Sequence, residues 1–288
     1  MVETLIPAPV AAGAGGPASH GSTRTRRDVL AYSTRLIRSV AVGTVGLLLL
    51  IAVWEFLPRL GVVDKTFVPP FSEVISAWWH LLKDGTLWED TEASLIRAMG
   101  GFAIAVAIGV PLGLLIGWYR IVADVLNPVL ELFRNTAALS LLPVFILIMG
   151  IGESSKVAFV AYACIWPILL NTISGVESVD PLLVKSARSL GLGSFRTFQK
   201  VILPASVPTI FTGIRLAGSF SLLVLIAAEL VGANSGLGFL ITYSQQNFAI
   251  PNMYAAIITI SMIGVVLNQL LLLLERHFST WRAAGLGN

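Results

Sequence analysis

Six stretches of the chain are almost continuously apolar and long enough for a bilayer crossing, which takes about 20 residues of helix. They are Ser39 to Leu57, Leu95 to Trp118, Val125 to Met149, Val157 to Ile173, Val207 to Val231 and Tyr254 to Leu274. None alternates with the period of two that a barrel strand requires. Helices, which satisfy their own backbone groups in lipid, are therefore predicted for all six. Between the fourth and fifth runs the pattern changes. "DPLLVKSARSLGLGSFRTFQKVILPASVP", Asp180 to Pro208, is amphipathic and carries Lys185, Arg188, Arg196 and Lys200. Asp180 suits an N-cap and Pro181 a first helical position, and Leu183, Ala187 and Leu190 recur on one face. Gly191 and Gly193 allow a sharp turn, after which a second short helix is predicted with Phe195, Phe198 and Val201 on its apolar side. Pro204 and Pro208 mark the start of the fifth span. Upstream, "FVPPFSEVISAWWHLL" predicts an amphipathic helix N-capped by Ser72 and lying at the membrane interface, with Trp78 and Trp79 at headgroup depth.

Composition agrees with the pattern. Hydrophobic residues make up 56% of the chain and charged ones 12%, with a mean hydropathy of +0.83, whereas soluble domains carry roughly 25% charged residues. The prediction is an all-α integral membrane protein with six transmembrane helices. Arg24, Arg26, Arg27, Arg35 and Arg38 precede the first span, which places the N-terminus in the cytoplasm. Six crossings return the C-terminus there, with Arg276 and Arg282. The Asp180–Pro208 segment then lies inside, while the uncharged loop Ser235 to Asn252 and the acidic loop Arg59 to Ser94 lie outside. Residues 1–38 read as a disordered basic cytoplasmic tail, 39–276 as the membrane domain and 277–288 as a cytoplasmic C-terminal tail. The net charge of +3 reflects this topology rather than nucleic-acid binding, for which no aromatic-studded basic patch exists.

The same residues argue against an enzyme. His20, His80 and His277 are scattered, so no metal-ligand spacing occurs, and Cys164 sits alone in an apolar run as a packing residue. "GIGESSK", Gly150 to Lys156, has the wrong order for a phosphate-binding loop. "TRRDVL" at Thr25 to Leu30 lacks the cleavable apolar stretch of an export signal. Gly109, Gly113 and Gly117 stand four apart on one helical face, a spacing that lets two membrane helices pack closely within the bundle. Arg215 lies inside the fifth span, where a lone charge costs ~2.5 kcal/mol or more. Both a structural ion pair, such as Arg215 with Glu131, and an anion-attracting site fit it. Arg134, Asn135, Thr136, Ser140, Asn171 and Glu229 are the other candidates for an aqueous pathway or for bonds between helices.

The Asp180–Pro208 stretch resembles the cytoplasmic docking loop of ABC importer permeases, whose pattern is E-A-A, three residues, Gly, nine residues, then I-x-L-P. Lys185-Ser186-Ala187 stands at the E-A-A positions, Gly191 at the glycine and Val201-Ile202-Leu203-Pro204 at I-x-L-P. Lys185 replaces the acidic residue of the pattern. "FVPPFSEV", "GVPLGLLIG", "LLPVFILIMGIGESSK", "LPASVPTIFTGIRLA", "AAELVGANSGLGFLI" and "MYAAI" are similar to the nitrate/sulfonate/taurine branch of that family, over roughly residues 40 to 282. The resemblance implies a type I permease fold with a coupling-helix pair in residues 177–204, multi-pass in the plasma (inner) membrane of a prokaryote. It also implies ATPase-docking roles for Lys185, Ser186, Ala187, Arg188, Gly191, Val201, Leu203 and Pro204, and ATP and Mg held by a separate ATP-binding subunit. Further implied partners are an extracytoplasmic solute-binding protein, a second permease copy forming a homodimer, and membrane lipid. The expected solute is a sulfonate, with nitrate, bicarbonate and pyrimidine precursors as alternatives. An ion-coupled secondary transporter would need repeated halves with broken helices, and no internal repeat is visible. A non-transporting assembly protein leaves the loop unexplained.

Overall fold

The computed structural model describes residues 44–134 and 136–279, apart from the side chains at 120, 134 and 276–279. The proposed N-terminal tail, Asn135 and nearly all of the C-terminal tail lie outside the described residues. The chain divides into two compact units, one ending at Val53 and one starting at Trp54, and the second holds every element from α2 onward. Residues 44–59 are helical (α1). There follow α2 (Phe71–Lys83), α3 (Thr86–Trp118), α4 (Arg120–Arg134), a 3₁₀ turn (Ala138–Leu141), α5 (Leu142–Met149), α6 (Glu153–Glu177), α7 (Pro181–Ser189) and α8 (Ser194–Thr197). A π turn (Phe198–Ile202) leads into α9 (Leu203–Gly232), followed by α10 (Leu237–Gln246) and α11 (Ile250–Ser279).

Among the described residues four helical segments are long and apolar enough to cross a membrane: α3, α6, α8 through α9, and α11. The expected third span is not one straight helix: α4 and α5 meet at 81°. The change of direction falls between Arg134 and the 3₁₀ turn, and Pro143 sits beyond it in the first turn of α5, where its missing N–H costs no helical hydrogen bond. Counted as one span, the bent pair makes five. The expected first span is only partly described.

The core of the second unit lies where α3, α6 and α9 meet, around the fully buried Ala105, Phe159, Cys164, Ile168, Ala217 and Leu225. The glycine face on α3 makes this contact possible. A Cβ on Gly113 would stand 2.6 Å from Thr172 Cβ, and one on Gly117 2.8 Å from Val176 Cβ. With no side chain at either position the two backbones approach to a distance other residues forbid. The glycines thus serve packing within the chain, and Cys164 is the packing residue its surroundings suggested.

In α2 the sequence expectation needs correction. The helix begins at Phe71 after Pro70, so Ser72 is inside its first turn rather than the N-cap. Glu55 supplies the cap instead, accepting from Ser72 N at 2.9 Å and Ser72 Oγ at 3.0 Å. One face of α2 packs on α11: Val74 is fully buried, and Trp78 Nε1 donates to Thr259 Oγ1 at 3.0 Å.

Candidate functional site

Two constructions stand at opposite ends of α9, whose 30 residues span about 45 Å. At its start is the Asp180–Pro208 loop. Asp180 caps α7 through an Oδ1 that accepts from Leu182 N at 2.8 Å, with Pro181 in the first turn. The helix ends at Gly191, whose φ of 78° is left-handed. Gly191 N donates to Arg188 O at 3.0 Å and Leu192 N to Ala187 O at 3.1 Å, which closes the helix end as a Schellman motif. A Cβ at Gly191 would meet nothing within 4 Å, so the demand for glycine is conformational rather than steric. Gly193, at φ −67°, carries no such demand.

Beyond this turn the structure corrects the sequence. The second short helix is not hinged off the fifth span at Pro204: α8, the π turn and α9 form one helical segment from Ser194 to Gly232. The π turn absorbs the N–H that Pro204 lacks, so the proline sits in the first turn of α9 without a break. Anything that moves α8 therefore moves the foot of α9. The buried surface also differs. Ala187, Thr197 and Ile202 face inward and Phe198 packs on Trp118, while Leu183, Leu190 and Phe195 are exposed, Phe195 at 75%. Lys185, Ser186, Arg188 and Lys200 are exposed as well. The loop thus presents a mixed apolar and cationic surface away from the bundle, a form suited to a partner protein.

The far end of α9 carries a charge cluster that sequence reasoning missed. Glu229, with a fully buried side chain, pairs with Arg97 Nη1 at 2.6 Å and accepts from Ser94 Oγ at 2.9 Å. Arg97 also forks onto the exposed carboxylate of Glu153, its Nη2 donating to Oε1 at 2.8 Å, and reaches Ser235 O at 2.8 Å. Asp90 accepts from Gly236 N at 2.7 Å, Ser94 Oγ from Leu237 N at 2.9 Å, and Glu229 from Gly238 N at 2.9 Å. Three side chains from α3 and α9 thus satisfy the first amides of α10, where acidic groups also complement the helix dipole. Glu229, a pathway candidate in the sequence, is held in this buried cluster. The signal was present in Asp90, Ser94 and Arg97, at spacings of four and three on one face of α3.

Of the remaining pathway candidates, Arg215 pairs with Glu275, Nε to Oε2 at 3.2 Å, and not with Glu131. Glu275 falls one residue past the expected end of the last span, but α11 runs on to Ser279 and brings it beside α9. Thr212 Oγ1 adds a bond to the same carboxylate at 3.3 Å. Asn171 bonds back to Pro167 O at 2.8 Å and lies against Gly213, where a Cβ would meet Asn171 Cβ at 2.6 Å, so it works at the α6–α9 contact. Thr136 lines a cleft of about 460 Å³ with Phe133, Trp166, Pro167, Leu216 and Phe220. Phe133 and Trp166 stack at 5.2 Å there. Ser140 is exposed in the 3₁₀ turn beside it. The side chain of Arg134 lies outside the described residues.

This arrangement of helices is that of an ABC importer permease. The structure matches the methionine ABC transporter MetNI in its inward-facing conformation with a TM-score of 0.59 at 17% identity, over 70% of this chain and 97% of that one. Residues 109–282 match the model of the binding-protein-dependent transport system inner membrane component family, and the chain belongs to that family. It is 34% identical to the putative aliphatic sulfonates transport permease SsuC of Bacillus subtilis, over 82% of this chain and 87% of SsuC. It is 32% identical to the taurine transport system permease TauC of Escherichia coli K12, over 84% of this chain and 90% of TauC.

Proposed function

We propose that this permease moves a small sulfonate-type anion across the inner membrane, driven by a separate ATP-binding subunit and supplied by an extracytoplasmic binding protein. The observation that carries the coupling is the continuity of α8 with α9 behind the Gly191 turn. A partner that shifts the exposed face of α7 and α8 shifts a membrane-spanning helix with it. Lys185, Ser186 and Arg188 form the docking surface with Ala187 packed inward beneath them, Gly191 fixes its angle to α8, and Val201, Leu203 and Pro204 carry the displacement into α9. ATP and Mg act on the partner subunit, whose closing and opening rock the helices between outward and inward access. A homodimer supplies the second wall of the pathway. Sulfonate leads as the solute because SsuC and TauC carry sulfonate and taurine in their names, with nitrate, bicarbonate and a pyrimidine precursor as alternatives.

In this reading both termini and the α7–α8 loop are cytoplasmic. Cysteines placed at Ser194 and Gln246, both exposed, label from opposite sides of intact cells, and labelling of both from outside contradicts the orientation. The function itself is tested in proteoliposomes holding the permease with its ATP-binding subunit and supplied with the solute-binding protein. ATP-dependent uptake of taurine or an alkanesulfonate supports the solute class, and uptake of nitrate or bicarbonate alone refutes it.

A further inference from the structure

Among the described residues six have a left-handed φ. Five are glycines, Gly61, Gly85, Gly150, Gly191 and Gly236, and the sixth is Phe248 at 54°. Phe248 holds the place after α10 that Gly191 holds after α7: its N–H donates to Gln245 O at 3.2 Å, and Ala249 N to Ser244 O at 2.9 Å. This is again a Schellman end, where glycine is the usual residue. For a bulky side chain the conformation crowds Cβ against the carbonyl that follows, and it is a genuine outlier. Ser244 and Ile250, buried on either side, hold the turn in place. Yet the ring gains nothing inside the chain, since it is 75% exposed. A strained backbone that projects an aromatic ring outward, where glycine would relieve the strain, points to a use for that ring outside the chain.

The surroundings narrow what covers it. Residues 235–252 contain no Asp, Glu, Lys or Arg, and the exposed neighbours are Tyr243 and the amides Gln245, Gln246 and Asn247. An apolar anchor ringed by uncharged hydrogen-bonding groups resembles the centre of a protein interface, where aromatic residues are enriched and charges depleted. A lipid anchor pairs its aromatic residues with basic ones, which this segment lacks, and needs no fixed direction. The turn also lies at the end of α9 away from the docking loop. We infer that Phe248 is an anchor for the extracytoplasmic solute-binding protein, an assignment that rests on the permease reading above.

The test uses the permease with its ATP-binding subunit in nanodiscs and the binding protein as purified from the native host. Phe248→Gly raises the concentration of binding protein that half-maximally stimulates ATP hydrolysis by roughly tenfold or more. Basal hydrolysis stays unchanged, and the melting temperature is held or rises by up to about 2–4 °C as the strain is released. Phe248→Tyr keeps the ring and keeps the response. An unchanged half-maximal concentration in Phe248→Gly overturns the assignment. A lowered melting temperature with an unaltered response marks a lipid or structural role and overturns it equally. Absence of stimulation with the unaltered permease sinks the permease reading, and this anchor with it.

Discussion

Trp118 and Phe198 meet edge to face with ring centroids 5.0 Å apart, so the last residue of α3 rests on the π turn between α8 and α9. Val176, Val179 and Ile202 are buried around the pair. The foot of the bundle and the docking loop are thereby packed together.

That contact yields a first prediction. Phe198→Ala and Trp118→Ala each lower uptake and loosen the coupling of ATP hydrolysis to transport. Because the two rings touch, the effects on stability do not add. A double-mutant cycle read by thermal unfolding in nanodiscs gives a coupling of about 0.5–1.5 kcal/mol, the range for aromatic pairs. Additive losses would separate the loop from α3.

The Arg97–Glu229 pair gives a second. Arg97→Ala leaves the buried Glu229 carboxylate without its cation, a loss of about 3–5 kcal/mol, while in Glu229→Ala the guanidinium keeps only the exposed Glu153 as its anion. In Glu229→Ala the Gly238 amide loses its acceptor too. Glu229→Ala and Arg97→Ala therefore lose folded protein, seen as aggregation on size-exclusion chromatography in detergent. Glu153→Gln alters the exposed arm of the same fork and costs roughly 1 kcal/mol or less. Equal effects from Glu153→Gln and Glu229→Ala would contradict the division between a buried and an exposed arm.

Arg215 and Glu275 give a third. If the pair holds α9 against α11, Arg215→Glu and Glu275→Arg each reduce the amount of permease in the membrane, and the double exchange restores much of it. Uptake per molecule of permease is the second reading. A well-expressed Arg215→Gln protein that fails only in uptake would move Arg215 back to the pathway.

Much of this was legible in the sequence because membrane helices and caps are local in their causes. The apolar runs located α3, α6, α9 and α11 to within a few residues except at α3, whose amphipathic first turns begin before the apolar stretch. Asp180, Pro181 and Gly191 announced α7 and its end through backbone preferences that need no tertiary context. What stayed hidden depends on partners distant in the chain. Glu229 reads as a lone acid near a helix end until Arg97, 132 residues away, is placed beside it. The unbroken α8–α9 helix was hidden because a proline signals a break, but whether the chain turns or inserts a π turn is set by what packs around it. Phe195 was assigned inward by periodicity alone, and it is exposed because the face of α8 that meets the bundle is the one bearing Thr197 and Phe198.

The measurement that bears most directly on the coupling role of the loop is made at Gly191. Valine there must leave the left-handed region or hold it at a cost of roughly 1–2 kcal/mol, and a Cβ meets no neighbour, so the transmembrane bundle is undisturbed. The angle between α7 and α8 changes instead. The expected result for Gly191→Val is normal membrane abundance, loss of the ATP-binding subunit on co-purification and loss of uptake, with Lys185→Ala far milder. Full recovery of the ATP-binding subunit together with normal uptake by Gly191→Val would show that the loop does not transmit the motion.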